Sequence, residues 1–516
     1  MDNEIQQLID SIASFCKKAE ISESTFGRLV VNDGKFVGRL RNGKGVTLKT
    51  LNKTKEYIRN HPPGPDAISD QDAKLALIDS EYTPITVSPK TVHSHTDSSP
   101  TVSDKKLPMP DEQYQKKNEN ITSPAIKSAL SNNDDFINKK ERRPFRFYEN
   151  RQKYLHFVHT CNEKWAISQR AAKEIKLLQP TAPALRMFDA GMGDGTVLTY
   201  VMQNIHRQFP TVPLLINAKE MSLEDVRLGI AKLPDRFVEH PATVFVISNM
   251  AYNEAPWLKP HSKQSVNWHE VALEGHCAHE YGEQIESLHD VLDHCWATKP
   301  SEKTGNPLYA EPSVLVLYRA DQKFMLENVI PKKGFIEGHY DFILAAQPWQ
   351  SRVSAEFKIK KILAPLSKSL AVGGRLLGVQ SYGDDPGLEI VQRIWPDENP
   401  FTINRHILLD VLKQELGPES RSFNFNAMSD AKSVFRYVMH TLPTEIGDHI
   451  GSSTLFAAWN AAIYVNQIEE EQIENAVASG IYLDATRDIL KQREGLWFND
   501  ETFVVVRKRT NHTEQV

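Results

Sequence analysis

Seven consecutive residues, Asp189-Ala190-Gly191-Met192-Gly193-Asp194-Gly195, carry the clearest chemical signal in the chain. Glycines at alternate positions permit a tight strand-to-helix turn and let a ligand lie against backbone N–H groups. A carboxylate, Asp189, heads the run. A second carboxylate, Glu220, closes the apolar stretch Pro213-Leu-Leu-Ile-Asn-Ala-Lys-Glu220, 25 residues after Gly195. Two further groups follow apolar runs. In Asn249-Met-Ala-Tyr252-Asn253-Glu254-Ala-Pro256-Trp257, Tyr252 or Glu254 could line a cleft or accept a proton. After Tyr340–Ala346 comes Gln347-Pro348-Trp349, an amide beside an aromatic. Each group also has a plainer reading: Tyr252 and Trp257 as core aromatics, and Pro348-Trp349 as a turn packed beneath a ligand.

These residues can meet only if the elements between them fold into one layer structure. Leu185, Met187 and Phe188 form a short buried strand, and Thr196 opens a helix. The run ending at Glu220 reads as a second strand, and SLEDVRLGIAKL as a helix capped by Ser222. Thr243–Ser248 and Tyr340–Ala346 read as two more strands. A helix, KIKKILAPLSKSLAVGG, then leads into Arg375–Gln380. Strands alternating with helices predict an α/β fold with a parallel sheet.

The Asp-x-Gly-x-Gly-x-Gly spacing resembles motif I of class I S-adenosylmethionine-dependent methyltransferases. Leu-Ala-Val-Gly-Gly before an apolar strand resembles that family's connection into its fifth strand. The resemblance implies a Rossmann-like, mostly parallel methyltransferase sheet and S-adenosyl-L-methionine as cofactor. It implies that Gly191, Gly193 and Gly195, with Ala190, Met192 and Asp194 between them, pack against the methionine part. Asp189 would engage the cofactor's amino group directly or through water. Glu220 stands about where an acid at the end of the second strand binds ribose hydroxyls, and Asn249 stands near the adenine. The methyl acceptor would lie at the carboxyl end of the fourth strand. Relatives that methylate planar amide or exocyclic amine nitrogens typically carry Asn/Asp-Pro-Pro-aromatic there. Here Ala345-Ala346-Gln347-Pro348-Trp349 keeps the proline and the aromatic, sets Ala346 at the hydrogen-bonding position, and leaves Gln347 to substitute from a shifted place. The acceptor's class is therefore unassigned.

The 516 residues hold 61 Lys+Arg against 66 Asp+Glu, a formal charge of −5, so any nucleic-acid contact must come from a local patch. Residues 24–60 supply one: nine bases against two acids, a net +7. ISESTFGRLVVNDGKFVGRLRNG resembles repressor-type helix-turn-helix domains, with Arg28 on the first helix of the motif and Lys35, Arg39 and Arg41 near the second, followed by Lys44. The resemblance implies possible DNA contact, and a helical protein-interaction module is the alternative. Residues 1–60 are thus expected as a small all-α domain, and 61–140, rich in Pro, Ser, Thr, Asp and Lys, as a disordered linker. Four cysteines are too few for a disulfide framework. No apolar run reaches the length of a membrane span, and the first residues carry acids where a secretory signal carries lysines, so a cytoplasmic protein is expected.

Residues 141–516 are expected to form the methyltransferase domain. It would carry an insertion at about 255–338, a helical cap at about 400–492 and a terminal β-hairpin at 495–508. The insertion is read as a helical lid with Pro312–Arg319 as a strand added at the sheet edge. His276, Cys277, His279, His294 and Cys295 match no zinc-ligand spacing, so no metal is expected. Two other functions remain open: a DNA-binding regulator that senses S-adenosylmethionine without turnover, and an NAD-dependent oxidoreductase.

Overall fold

Short runs of branched and aromatic residues, apolar on both sides of the backbone, are stable only in a sheet covered on both faces. The computed structural model describes residues 2–18, 22–31, 36–41, 50, 54–55, 57–59, 150–261, 264–300, 307–334, 338–441, 443–447 and 449–509. In it these runs become β1 (Leu185–Asp189), β2 (Leu214–Lys219), β3 (Thr243–Ser248), β4 (Asn267–Leu273), β5 (Thr298–Pro300), β6 (Pro307–Tyr309), β7 (Ser313–Arg319), β8 (Tyr340–Ala346), β9 (Leu370–Ser381), β10 (Phe423–Asn426), β11 (Val434–Val438) and β12 (Trp497–Arg507). β5 and β6 pair with each other. The rest make one sheet in the order β10-β12-β9-β8-β1-β2-β3-β7-β4, with β11 also on β12.

The five central strands, β3-β2-β1-β8-β9, are all parallel, so the core is a Rossmann-like α/β sheet. From β1 the chain winds outward through β2 to β3, then returns to lay β8 on the other side of β1. The strand order therefore reverses between β1 and β8, and the crevice at their carboxyl ends is where such sheets bind ligands. Alternation along β1 feeds two apolar layers. Leu185 and Met187 pack with Val201 and Ile205 of the helix Thr196–Gln208, and Phe188 packs on the opposite face with Ile359 and Leu363.

Three features differ from the sequence expectation. The expected hairpin at 495–508 is one unbroken strand, β12, antiparallel to β9 along Asp500–Val506. The polar run Asn499-Asp500-Glu501 reads as a turn, yet Asp500 and Glu501 are buried at 0% and 1% exposure. Each has polar partners that make burial tolerable: Glu501 pairs with Arg405 at 2.7 Å, and Asp500 accepts from Gln347. The outer partners of β12 are β10 and β11, which arise within the region read as a helical cap, beside the helices Arg405–Leu416, Ser452–Val465, Glu470–Ser479 and Ile481–Arg493. The insertion likewise contains strands besides the helices Ala278–Glu286 and His289–Cys295. β7 lies one strand inside the edge, antiparallel to β3, and β4 takes the edge.

Contacts divide the chain into two units, Met1–Glu112 and Gln113–Val516. In the first, the helices Asp2–Lys18, Glu23–Val31 and Phe36–Arg41 close over Leu8, Ile12, Phe26, Val30, Val37 and Leu40. Phe15, Phe26 and Tyr57 meet edge to face. Arg39 and Arg41 are exposed on the third helix, and Arg41 is ion-paired with Glu23. Lys35, Lys44, the side chain of Arg28 and the expected linker at 61–140 lie outside the described residues. No described helix is long and apolar enough to cross a membrane.

Candidate functional site

The glycine-rich loop leaves β1 at Asp189 and turns into the helix Thr196–Gln208. Gly193 and Gly195 take φ of +54° and +77°, which favour glycine. Packing adds to the requirement. A Cβ on Gly195 would stand 2.7 Å from Gly229 Cα, and one on Gly193 would stand 2.6 Å from the Tyr154 hydroxyl. The loop is held to its neighbours on both sides: Ala190 N–H donates to Leu344 O at 2.9 Å, and Met192 N–H to Lys219 O at 3.1 Å. The Met192 side chain is buried against Gly229. Asp194 locks the turn, its carboxylate accepting from Lys232 Nζ at 2.7 Å, from Tyr154 Oη at 3.1 Å and from the Thr196 hydroxyl. Burial alone would push this carboxyl up, but Lys164, Lys232 and the hydrogen bonds outweigh it and hold its pKa below the usual carboxylate value.

Two carboxylates then stand at the carboxyl ends of β1 and β2. Asp189 is 2% exposed and its one hydrogen bond among the described contacts is a long one, from Gly191 N–H at 3.4 Å. Burial, reinforced by the charge of Glu220, raises its pKa to about 7 against the partial help of Gly191. Glu220 accepts from the N–H groups of Gly193 at 2.7 Å, Met221 at 2.6 Å and Ser222 at 2.8 Å. A carboxylate offers about four lone-pair sites, so capacity for a further donor remains. The insertion closes over this end of β2: Trp296 Nε1 donates to Glu220 O at 3.0 Å, and the Tyr309 hydroxyl to Met221 O.

The carboxyl end of β8 joins the same crevice. A Cβ on Gly191 would lie 3.8 Å from Pro348 Cβ, so loop and strand end are in contact. Tyr252 donates its hydroxyl to Pro348 O at 3.0 Å, and Lys219 Nζ lies 4.4 Å from the centre of its ring. Burial lowers the Lys219 pKa to about 8, with Glu220 opposing the shift. Trp349 is buried, with Lys358 Nζ 6.0 Å from its ring. Gln347 stands at φ +51°, a rare backbone state for a residue other than glycine, and its Nε2 donates to Glu163 Oε1 at 3.1 Å and to the two Asp500 oxygens at 3.2 and 3.3 Å.

Asp189, the glycine loop, Glu220, Tyr252 and Gln347-Pro348-Trp349 thus converge. Asn249 and Glu254 spend their side chains elsewhere. Asn249 ties β3 to the insertion through Cys295 O at 2.7 Å, Glu311 O at 3.0 Å and Ser313 N–H at 2.9 Å. Glu254 accepts from His261 N–H at 2.8 Å in its own loop. Tyr154, Glu163, Trp296, Tyr309 and Asp500, which complete the site, come from distant segments with no motif of their own. Among the described residues, no group of three or more His, Cys, Asp and Glu is placed to hold a metal.

No known protein family and no curated protein matches the sequence. Solved structures that resemble it include a loganic acid methyltransferase with SAH, at 9% identity and TM-score 0.29 over 68% of this chain and 93% of that one. A geranyl diphosphate methyltransferase in complex with SAM follows at 14% identity and TM-score 0.24, covering 66% and 85%. Haemonchus contortus phosphoethanolamine N-methyltransferase 2 in complex with S-adenosyl-L-methionine stands at 8% identity and TM-score 0.23, over 66% of this chain and 53% of that one, about half its length.

Proposed function

We propose that the chain is an S-adenosyl-L-methionine-dependent methyltransferase. The observation that carries this reading is the loop Asp189–Gly195 at the reversal of strand order, touching Pro348 on one side and Glu220 on the other. The residues fit the cofactor. Asp189 is a buried carboxyl short of partners, suited to a cationic amino group, and Glu220 retains room for ribose hydroxyls. The glycines give close backbone approach, and Trp296, Tyr309 and Tyr252 add aromatic walls. When bound, the cofactor would supply an electrophilic methyl group on a sulfonium. The chain's own part is to fix donor and acceptor in line and to exclude water. In this reading Gln347, Pro348, Trp349 and Tyr252 face the acceptor side. Asn249 and Glu254 support the walls through the bonds described above.

The test is calorimetric titration with S-adenosylhomocysteine, then incubation of the protein with methyl-labelled S-adenosylmethionine and fractionated cell extract. Binding followed by label transfer supports the enzyme. Binding without transfer to any fraction supports a sensor, and stabilisation by NADH in place of S-adenosylhomocysteine supports an oxidoreductase. The basic N-terminal segment is read as a helix-turn-helix-like contact for DNA, on its net charge of +7 over residues 24–60 and the exposure of Arg39.

A further inference from the structure

Where the acceptor should enter, the protein places one of its own NH2 groups between two carboxylates. Glu163 and Asp500 are 2% and 0% exposed, whereas Gln347, which is hydrogen-bonded to both, is partly exposed. Neither carboxylate is near the other in sequence. Glu163 opens the helix Glu163–Ile175, whose preceding Asn162 is pinned to Val438 of β11 by bonds of 3.0 and 2.8 Å. Asp500 lies on β12, opposite Ser381 of β9 and Phe435 of β11.

Buried acids outnumber bases in this group. Among the described residues one cation, Lys164, is ion-paired to it, at 2.8 Å from Glu163. Asp385 adds a third buried carboxyl close enough to raise the Asp500 pKa, after burial and the charge of Glu163. A separate feature points to an absent partner. The Tyr437 hydroxyl is buried on a residue 1% exposed and has no hydrogen-bond partner among the described residues. It lies near enough to Asp500, Glu163 and Asp385 for their charges to act on it. An orphan buried hydroxyl costs about 1–3 kcal/mol unless something else fills the space beside it.

We propose that Glu163 and Asp500 form the acceptor subsite, and that the acceptor is an aliphatic primary amine whose nitrogen takes the place held here by Nε2 of Gln347. This rests on the methyltransferase reading above. The amide shows what the pair selects: a nitrogen giving one hydrogen to Glu163 and another to Asp500. A hydroxyl acceptor has one hydrogen for two acids, and an ionised carboxylate or phosphate acceptor has none to give. An aliphatic amine arrives as a cation, and its approach favours the ionised form of Asp500, which burial and Glu163 otherwise disfavour. The amine then yields a proton to the pair, and the freed lone pair forms the new bond to the methyl carbon. The carbon–sulfur bond breaks with its electrons on sulfur, leaving a neutral thioether; the pair releases the first proton to water, and the extra proton of the methylated ammonium follows by the same route.

The full chain is incubated with methyl-labelled S-adenosylmethionine and cell extract, half of it pretreated with acetic anhydride to convert primary amines to amides, then quenched. Acetylation is expected to cut methyl acceptance at least tenfold, and the label should stay non-volatile in hot alkali. Glu163→Gln and Asp500→Asn should each lower transfer about 100-fold, in the range expected for loss of a proton acceptor, with S-adenosylhomocysteine affinity held within about threefold as the check on folding. Label released by alkali as methanol, acceptance unchanged by acetylation, or no transfer by protein that binds S-adenosylhomocysteine would each overturn the proposal. Failure of the wild-type chain to bind S-adenosylhomocysteine would instead remove the reading beneath it. The acetylation result stands without the variants, should either fail to fold.

Discussion

Asp189 is the residue where electrostatics and ligand binding are most tightly linked. Its pKa of about 7 means that the folded chain keeps a proton that the unfolded chain, with an ordinary value of 3.8, has released. Between those values the native state binds more protons, so this group's contribution makes stability fall as pH rises through about 4 to 7. A bound amino cation reverses the preference by favouring the ionised form. S-adenosylhomocysteine should therefore bind up to about tenfold more weakly for each pH unit below 7, with a plateau above, measured by calorimetry. Asp189→Asn should weaken affinity at least about tenfold at pH 8, as expected when a charge-assisted pair is removed, and flatten that slope. An unchanged slope in the variant would show that another group sets it. The glycines beside Asp189 were legible in the sequence because backbone geometry restricts them to few residue types. Glu163 and Asp500 were not, since a carboxylate at a helix start or in a polar triplet looks the same whether it faces solvent or a crevice.

At the scale of elements, the loop and the helix Leu223–Ile230 depend on each other through two glycines that touch. Gly195→Ala meets both a left-handed φ and Gly229 Cα at 2.7 Å, and backbone cannot step aside as a flexible side chain can. It should lower the melting temperature by several degrees, as a cost of about 1–3 kcal/mol implies, and weaken S-adenosylhomocysteine binding. The parallel centre of the sheet was legible from its apolar runs. The two apolar ends of β12 were legible too, but its continuity through Asn499-Asp500-Glu501 was not, because those polar residues pair with groups brought in by the tertiary fold. Glu501 shows how much rests on this: its carboxylate takes Arg405 Nη1 at 2.7 Å, Arg405 N–H at 2.7 Å and Gln380 Nε2 at 2.7 Å, all within the interior. Glu501→Gln leaves the Arg405 guanidinium with only Asp430 as a charged partner among the described residues. Breaking a buried pair in this way costs about 3–5 kcal/mol, readable as a lower midpoint in urea denaturation. A variant as stable as the wild type would mean that the ion pair does not bridge β12 to the helix Arg405–Leu416.

For the whole molecule, a net charge of −5 contrasts with a basic stretch of +7 over residues 24–60, which makes the N-terminal unit the part to test for polyanion contact. That unit has its own core, built on Phe26, Val30, Val37 and Leu40, so exposed bases can be removed without touching what holds it together. Arg39 and Arg59 are both exposed, and they are the described bases to substitute first. If the unit grips DNA, affinity of the full chain for a short duplex should fall linearly on logarithmic axes as salt rises. Arg39→Ala and Arg59→Ala should each reduce that slope by about 0.9 for every phosphate that is no longer neutralised. Fluorescence anisotropy across a salt series measures this, and S-adenosylhomocysteine affinity in the same variants should not move, because the proposed cofactor residues all belong to the second unit. Weak binding that ignores both the salt and the two substitutions would assign the basic stretch to a protein partner, and the methyl acceptor would then be sought without reference to nucleic acid.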